Sequence, residues 1–225
     1  MEGSYLKLVE EIKRCTKCPL HKSRKNAVPG EGPLDADVMV VGEGPGRSED
    51  EQGRPFVGAA GKLLTELLEA AGLPRESVYI TNVVKCRPPG NRDPADEEIA
   101  ACLPYLLAQI RLVRPKLIIA VGRHAARTLL QLSGKRFQSM ARDHGKVYEA
   151  AIEGVRVKII PTYHPAAALY KPQLRQDLER DFRTVIAAAV SQLASTGKGK
   201  GKAKAPGRTL LDYLGSNRHR TSTGS

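Results

Sequence analysis

The 225-residue chain predicts an α/β fold: a three-layer α/β/α domain with a central four-stranded parallel sheet, followed by a disordered basic tail. Three observations carry this. Four short apolar runs, at about 37–42, 78–84, 116–121 and 157–161, are separated by segments whose apolar residues recur at helical spacing. Strands alternating with helices imply parallel pairing through right-handed crossovers. The runs are apolar at almost every position, which fits a sheet covered on both faces.

The elements follow in order. Residues 4–14 read as a short amphipathic helix ending at Cys15-x-x-Cys18. The first strand, about 37–42, opens into a glycine-rich loop. A helix over about 59–71 puts Leu63, Leu64, Leu67, Leu68 and Ala71 on one face and is ended by Gly72 and Pro74. The second strand, 78–84, leads to the loop CRPPGNRDP. There Asp93 fits an N-cap and Pro94 the first turn of a helix carrying Ile99, Cys102, Leu103, Leu106, Leu107 and Ile110. The third strand, 116–121, passes through Gly122 into a helix that reaches about Leu132. A hairpin-like region at 143–157 precedes the fourth strand, 157–161, and the last core helix covers about 173–193.

After Ala194 the composition changes. A Gly/Lys-rich stretch, STGKGKGKAKAPG, cannot bury a core, so the chain divides into a domain at 1–194 and a flexible tail at 195–225. The tail holds seven lysines or arginines against one aspartate, half of the chain's net charge of +12. The domain is therefore moderately basic, and the balance favours a polyanionic partner, nucleic acid first. No apolar run is long enough to span a membrane and no signal-peptide core follows the start, so a cytoplasmic monomer is the expectation. An apolar island, Leu210, Leu211, Tyr213 and Leu214, sits at the end of the tether as a docking peptide would.

Four cysteines, Cys15, Cys18, Cys86 and Cys102, make up the thiol inventory. Without a secretion signal, disulfides are a poor explanation. Four thiolates suit a zinc ion or an iron–sulfur cluster equally, and the absence of a second tight CxxC leans towards a cluster. Ordinary buried cysteines are the structural alternative.

The loops with chemical potential all lie at carboxyl ends of strands, where open α/β sheets bind ligands. The richest is GEGPGRSEDEQGRPFVGAAG at 42–61. No GxxxxGK[ST] is present, the GxGxxG spacing is incomplete, and four acids in the loop disfavour phosphate. A flat, neutral, polar ligand fits better. Phe56 can stack on it, Asn82 can read a donor–acceptor edge, and His164 can bond an oxygen that gains negative charge. This is equipment for an extruded nucleobase. Each residue also has a structural reading: core aromatic, strand-end cap and turn residue. His124 reads as a helix-start residue.

The combination GEGPG…EDEQGRPFVGAAG, YITNVVKCRPPGNRDP, LIIAVG and PTYHPAAAL resembles the family 4 uracil-DNA glycosylases, the iron–sulfur branch of the uracil glycosylase superfamily, over roughly residues 5–190. The resemblance implies hydrolysis of the bond between uracil and deoxyribose. It also implies a [4Fe–4S] cluster on Cys15, Cys18, Cys86 and Cys102. Uracil contacts fall to Gly42, Glu43 and Gly44 through backbone, to Phe56 by stacking, to Asn82 at the base edge and to His164 at the oxygen next to the scissile bond. Glu43 and His164 are the expected catalytic pair, with Glu49 and Asp50 as rivals for the carboxylate that faces the sugar. Leu169 is the expected wedge that fills the gap left by the flipped base. Arg87, Arg92 and Arg142 are expected phosphate contacts, and Leu210, Tyr213 and Leu214 a sliding-clamp peptide. A glycosylase for other deaminated bases and a non-catalytic iron–sulfur DNA-binding module are the alternatives.

Overall fold

A computed structural model describes residues 2–197. Residues 198–225, and with them Leu210, Tyr213 and Leu214, lie outside the described residues. In chain order the elements are α1 (Glu2–Arg14), β1 (Val38–Gly42), α2 (Arg47–Gln52), α3 (Ala59–Ala70), β2 (Tyr79–Asn82), α4 (Asp96–Val113), β3 (Leu117–Val121), α5 (Arg123–Leu132), α6 (Met140–Asp143), β4 (Tyr148–Ile152), β5 (Val155–Thr162), α7 (Pro165–Ala168), α8 (Pro172–Asp181) and α9 (Ala187–Gly197). A π-helical turn, Phe182–Ile186, joins α8 to α9.

The sheet order is β2-β1-β3-β5-β4. The four expected strands are all parallel: β1 pairs with β2 and β3, and β3 with β5. A fifth strand extends the expected four. The hairpin at 143–157 adds its first arm, β4, antiparallel to β5 at the edge. Its burial alternates, as an edge strand with one wet face should, and that pattern is too short to separate strand from hairpin turn in the sequence.

Every residue of β1, β2 and β3 is buried, which explains their continuous apolar character. Met39, Val41, Tyr79, Ile118 and Ile159 face α1, α4 and α5. Val38, Val40, Ile80, Ile119 and Ile160 face α3, α8 and α9. The three layers are thus two helical covers on one sheet. Helix α4 begins two residues later than expected. Ala95 is its N-cap, and the Glu98 carboxylate accepts the Ala95 N–H at 2.8 Å. That bond substitutes for the Asp93 cap, leaving Asp93 free to reach Arg123. Helix α9 continues to Gly197, past the expected helix end at about 193.

Candidate active site

The register aligns the strand ends. Gly42 pairs with Asn82, and Val121 with Thr162, so the loops after β1, β2, β3 and β5 share one edge. A cavity of about 340 Å³ opens there, lined by Glu43, Gly44, Phe56, Asn82 and His164 and walled by Pro88 and the 91–94 segment. This is the small end of the range of ligand pockets, roughly 300–1,000 Å³.

Asn82 forms the floor. Its side chain is fully buried, yet Oδ1 has no hydrogen-bond partner among the described residues. A buried acceptor left unmet calls for a ligand donor. Phe56 forms one wall, held at φ +50°, a strained conformation for a bulky residue. Gly61 makes that conformation possible, since a Cβ there would lie 1.9 Å from the Phe56 carbonyl oxygen. Gly42 keeps the floor and wall apart. A Cβ on it would meet Asn82 Oδ1 at 2.4 Å and Phe56 Cζ at 2.6 Å.

His164 closes the cavity, its ring stacked on Phe56 at a centroid distance of 5.7 Å and 25° between planes. Its Nδ1 accepts the Ala166 N–H at 3.1 Å. Nδ1 is therefore unprotonated and the neutral ring carries its proton on Nε2, a donor. Burial pushes the His164 pKa below its ordinary 6.5, against the opposing pull of Glu43 and Glu49.

The three acids separate cleanly. Glu43 Oε1 accepts the His124 N–H at 2.8 Å, at the amino end of α5, where the helix dipole favours an anion. Gly122, at φ +100°, leaves room for it: a Cβ would sit 2.6 Å from Oε1. Glu49 instead organises its loop. It accepts the N–H groups of Gly46 at 3.1 Å, Val57 at 2.9 Å and Gly58 at 3.0 Å. Asp50 is buried away from the cavity, accepting the N–H groups of Lys25 and Asn26. Glu43 alone of the three lines the cavity without being committed to folding the glycine loop.

The expected phosphate contacts differ in their freedom. The Arg92 guanidinium is held by both Glu98 oxygens at 2.9 and 2.7 Å, which shapes the 91–95 turn. Arg87 donates to Asn91 Oδ1 at 2.7 Å, and exposed Arg142 to Gln138 Oε1 at 2.9 Å. Leu169 and Tyr170 are exposed directly after α7, on the segment that carries His164.

The four cysteines border one small void together with Arg24, Lys85 and Tyr105. All four are free thiols, Cys86 and Cys102 buried and the other two half-buried. Arg24 Nη1 donates to Cys86 Sγ at 2.9 Å and the Lys85 N–H to Cys102 Sγ at 3.3 Å. Burial pushes Cys102 up to about 11 and raises Cys86, so thiolates here need added positive charge, which bound metal supplies. Among the described residues, no cluster of three or more His, Cys, Asp or Glu is arranged to hold a single metal ion.

Two contributors were not foreseen. His124 acts through its backbone, which no side-chain pattern reveals. Lys85 is fully buried, its Nζ donating to Thr81 Oγ1 at 2.7 Å, Asn82 O at 2.5 Å and Gln109 Oε1 at 2.7 Å. Burial pushes it down to about 7 while Cys102 and Cys86 pull it up. A lysine inside the apolar run YITNVVKC was the available signal.

The family model of the uracil DNA glycosylase superfamily matches residues 29–188, a span that contains all of the cavity's lining. A type-4 uracil-DNA glycosylase of Pyrobaculum aerophilum is 53% identical over 192 residues, covering 85% of this chain and 98% of the relative. Those of Saccharolobus solfataricus (52% identical; 82% of this chain, 86% of the relative) and Archaeoglobus fulgidus (51%; 92% and 97%) are similarly close. A match of this extent over a cavity built from these strand ends shows that the chain belongs to the uracil DNA glycosylase superfamily.

Proposed function

We propose that the chain is a monofunctional uracil-DNA glycosylase of the type-4 kind, which hydrolyses the N-glycosidic bond of uracil in DNA and leaves an abasic site. The observation that carries this reading is the unmet, buried Oδ1 of Asn82 at the floor of a cavity walled by Phe56 and His164.

Uracil offers N3–H to that oxygen and O4 to the amide nitrogen. Cytosine presents a donor where uracil presents an acceptor, and each mispaired buried group costs about 1–3 kcal/mol. Phe56 stacks on the ring, and Gly42, Glu43 and Gly44 supply backbone at close approach. As the glycosidic bond breaks, charge grows on the uracil oxygen next to it. The His164 Nε2–H donates there and stabilises the leaving anion. The sugar becomes oxocarbenium-like, as in other glycoside cleavage. Glu43, fixed by the His124 N–H, stabilises that cation or orients the attacking water. Leu169 fills the gap in the stack, offsetting part of the unstacking cost.

Cys15, Cys18, Cys86 and Cys102 fit a [4Fe–4S] cluster. Four sulfur donors border one void, with the Arg24 guanidinium on Cys86 Sγ and the Lys85 backbone N–H on Cys102 Sγ to balance thiolate charge. When bound, the cluster would act as a structural clasp joining the end of α1, the segment after β2 and α4. The partner is uracil-containing DNA bound by a monomer. Leu210, Tyr213 and Leu214 are proposed to dock a sliding clamp.

The test is incubation with a uracil-containing single strand, read as alkali-labile abasic sites, beside strands carrying thymine, hypoxanthine or xanthine. Release from the uracil strand is the expected result. No product from the intact protein refutes the reading, and preferential release of another base reassigns the substrate.

A further inference from the structure

One residue touches both the cysteine quartet and the base-reading floor. The backbone N–H of Lys85 donates to Cys102 Sγ at 3.3 Å, and its side chain curls back so that Nζ donates to the Asn82 carbonyl at 2.5 Å. The turn between them is stitched to the catalytic loop. The Val83 N–H donates to Gly42 O at 2.9 Å and the Val84 N–H to Glu43 O at 3.0 Å. Lys85 also anchors outward, its carbonyl accepting the Val28 N–H at 2.8 Å. Residues 82–85 are therefore a single strut. One end carries Asn82 and the partners of Gly42 and Glu43, and the other carries the contact to Cys102.

The ammonium is unusual for a scaffold role. It is fully buried, and its three acceptors are neutral: a hydroxyl, an amide oxygen and a carbonyl. A buried cation without a carboxylate is expensive to retain, and an apolar side chain of the same volume would serve stability as well or better. The backbone N–H of Lys85 itself meets Cys102 Sγ, and Cys86 is its neighbour in the chain. The neutral acceptors are themselves locked. Thr81 Oγ1 donates to Pro29 O at 2.8 Å, and Gln109 Nε2 to Pro29 O at 2.6 Å and to Tyr79 Oη at 3.0 Å. Each acceptor is thus tied to a further partner, and consecutive hydrogen bonds link the sulfur end to the Asn82 carbonyl.

We propose that Lys85 is a positioning residue that couples the four-cysteine site to base recognition: it aligns Asn82, and uracil affinity therefore depends on the integrity of the sulfur site. The inference rests on the reading of Asn82 as the uracil-contacting residue.

The experiment uses the purified, iron-loaded chain and Lys85→Met, which keeps length and burial but removes the ammonium. Three quantities are measured: iron content with the visible absorption band, the inhibition constant of free uracil, and kcat and KM on a uracil-containing strand. In Lys85→Met we expect iron and the visible band retained, kcat lowered and the uracil inhibition constant raised, each about tenfold, with KM for DNA within twofold. Cys102→Ser should weaken uracil inhibition in the native background and add little in Lys85→Met, the non-additivity of a shared path. An unchanged inhibition constant in Lys85→Met, or full additivity with Cys102→Ser, overturns the proposal. So does loss of the iron together with cooperative melting, which marks a merely structural role. Thr81→Val removes one acceptor and leaves Lys85 in place. It should raise the inhibition constant about threefold, and no change there is equally fatal. A native chain that releases no uracil sinks the underlying reading; one that releases it while Lys85→Met behaves identically sinks this inference alone.

Discussion

Gly42→Ala inserts one methyl group between the cavity's floor and its stacking wall. The new Cβ would lie 2.4 Å from Asn82 Oδ1 and 2.6 Å from Phe56 Cζ, against an ordinary heavy-atom contact of about 3.5 Å. Something must move by about 1 Å. Gly42 cannot retreat, because it is paired with Asn82 in the β1–β2 ladder. Asn82 and Phe56 are both buried, and Phe56 is braced from behind by Gly61. The displacement therefore falls on Asn82 and Phe56, the two groups proposed to hold the base. A misplacement of about 1 Å costs on the order of 100-fold in rate, or about 2.7 kcal/mol of transition-state stabilisation. Overpacking costs a further 1–3 kcal/mol of stability, roughly, and a protein of this size then melts about 2–4 °C lower per kcal/mol. Single-turnover release from a uracil-containing oligonucleotide, scored as alkali-labile sites, measures the first effect, and calorimetry the second. A Gly42→Ala chain that works within twofold of the native rate would show that the methyl group is accommodated and that the Gly42 gap does not set the pocket's geometry.

Replacing each acid by its amide separates their roles. Glu43→Gln should slow release at least about 100-fold, the lower end of the 10²–10⁴-fold usual for a lost acid–base group. Asp50→Asn should lower the melting temperature with little change in rate, because the Asp50 carboxylate accepts only the backbone N–H groups of residues 25 and 26 among the described residues; equal rates for both variants would contradict the assignment of Glu43. The pH profile tests His164. A pKa held below 6.5 means the folded chain binds fewer protons than the unfolded chain just below that pH, so this residue's contribution to stability is complete above 6.5 and declines as pH falls. The rate should likewise be flat above neutrality with its acid limb below 6.5, and a limb centred above 6.5 would exclude a neutral His164 donor. Cys86→Ser and Cys102→Ser should each deplete iron and lower the melting temperature by more than Cys15→Ser, since their sulfurs are the more buried pair; a colourless native protein with stoichiometric zinc would replace the cluster by a zinc site. Leu169→Ala should slow release from duplex DNA more than from single strands, because only a duplex leaves a stacked gap to fill; equal effects would remove Leu169 as the wedge.

The strands and most helices were legible because burial on both faces writes itself as continuous apolar runs, and α3 shows its buried face at helical spacing. Phe56, Asn82 and His164 were legible because unusual residue types stand at strand exits, and parallel topology sends all such exits to one edge. What remained hidden depended on distances set by folding. Glu49 and Glu43 are equally acidic in the same loop. Their roles divide because Glu49 meets three backbone donors after the turn at Gly53 brings residues 57 and 58 back to it. The start of α4 was misplaced for a related reason: Asp93 has the right chemistry for a cap, but Glu98 reaches back to Ala95 and takes the role. Strand β4 was foreseen only as part of a hairpin-like region and not counted in the sheet, because an edge strand's alternating pattern is shared with any exposed hairpin arm.

The pairing of Gly42 with Asn82 makes the floor of the strand-end cavity part of the sheet's own ladder. A pocket built on loops can breathe and so loosen its selectivity as temperature rises. This one has its floor cut into the frame, since separating Asn82 from Gly42 requires breaking the ladder between β1 and the edge strand β2, whose outer side is tied down by the Glu31–Ile80 bridge. Warming should therefore leave discrimination between uracil and other bases intact up to the melting transition, where activity and selectivity disappear in a single step.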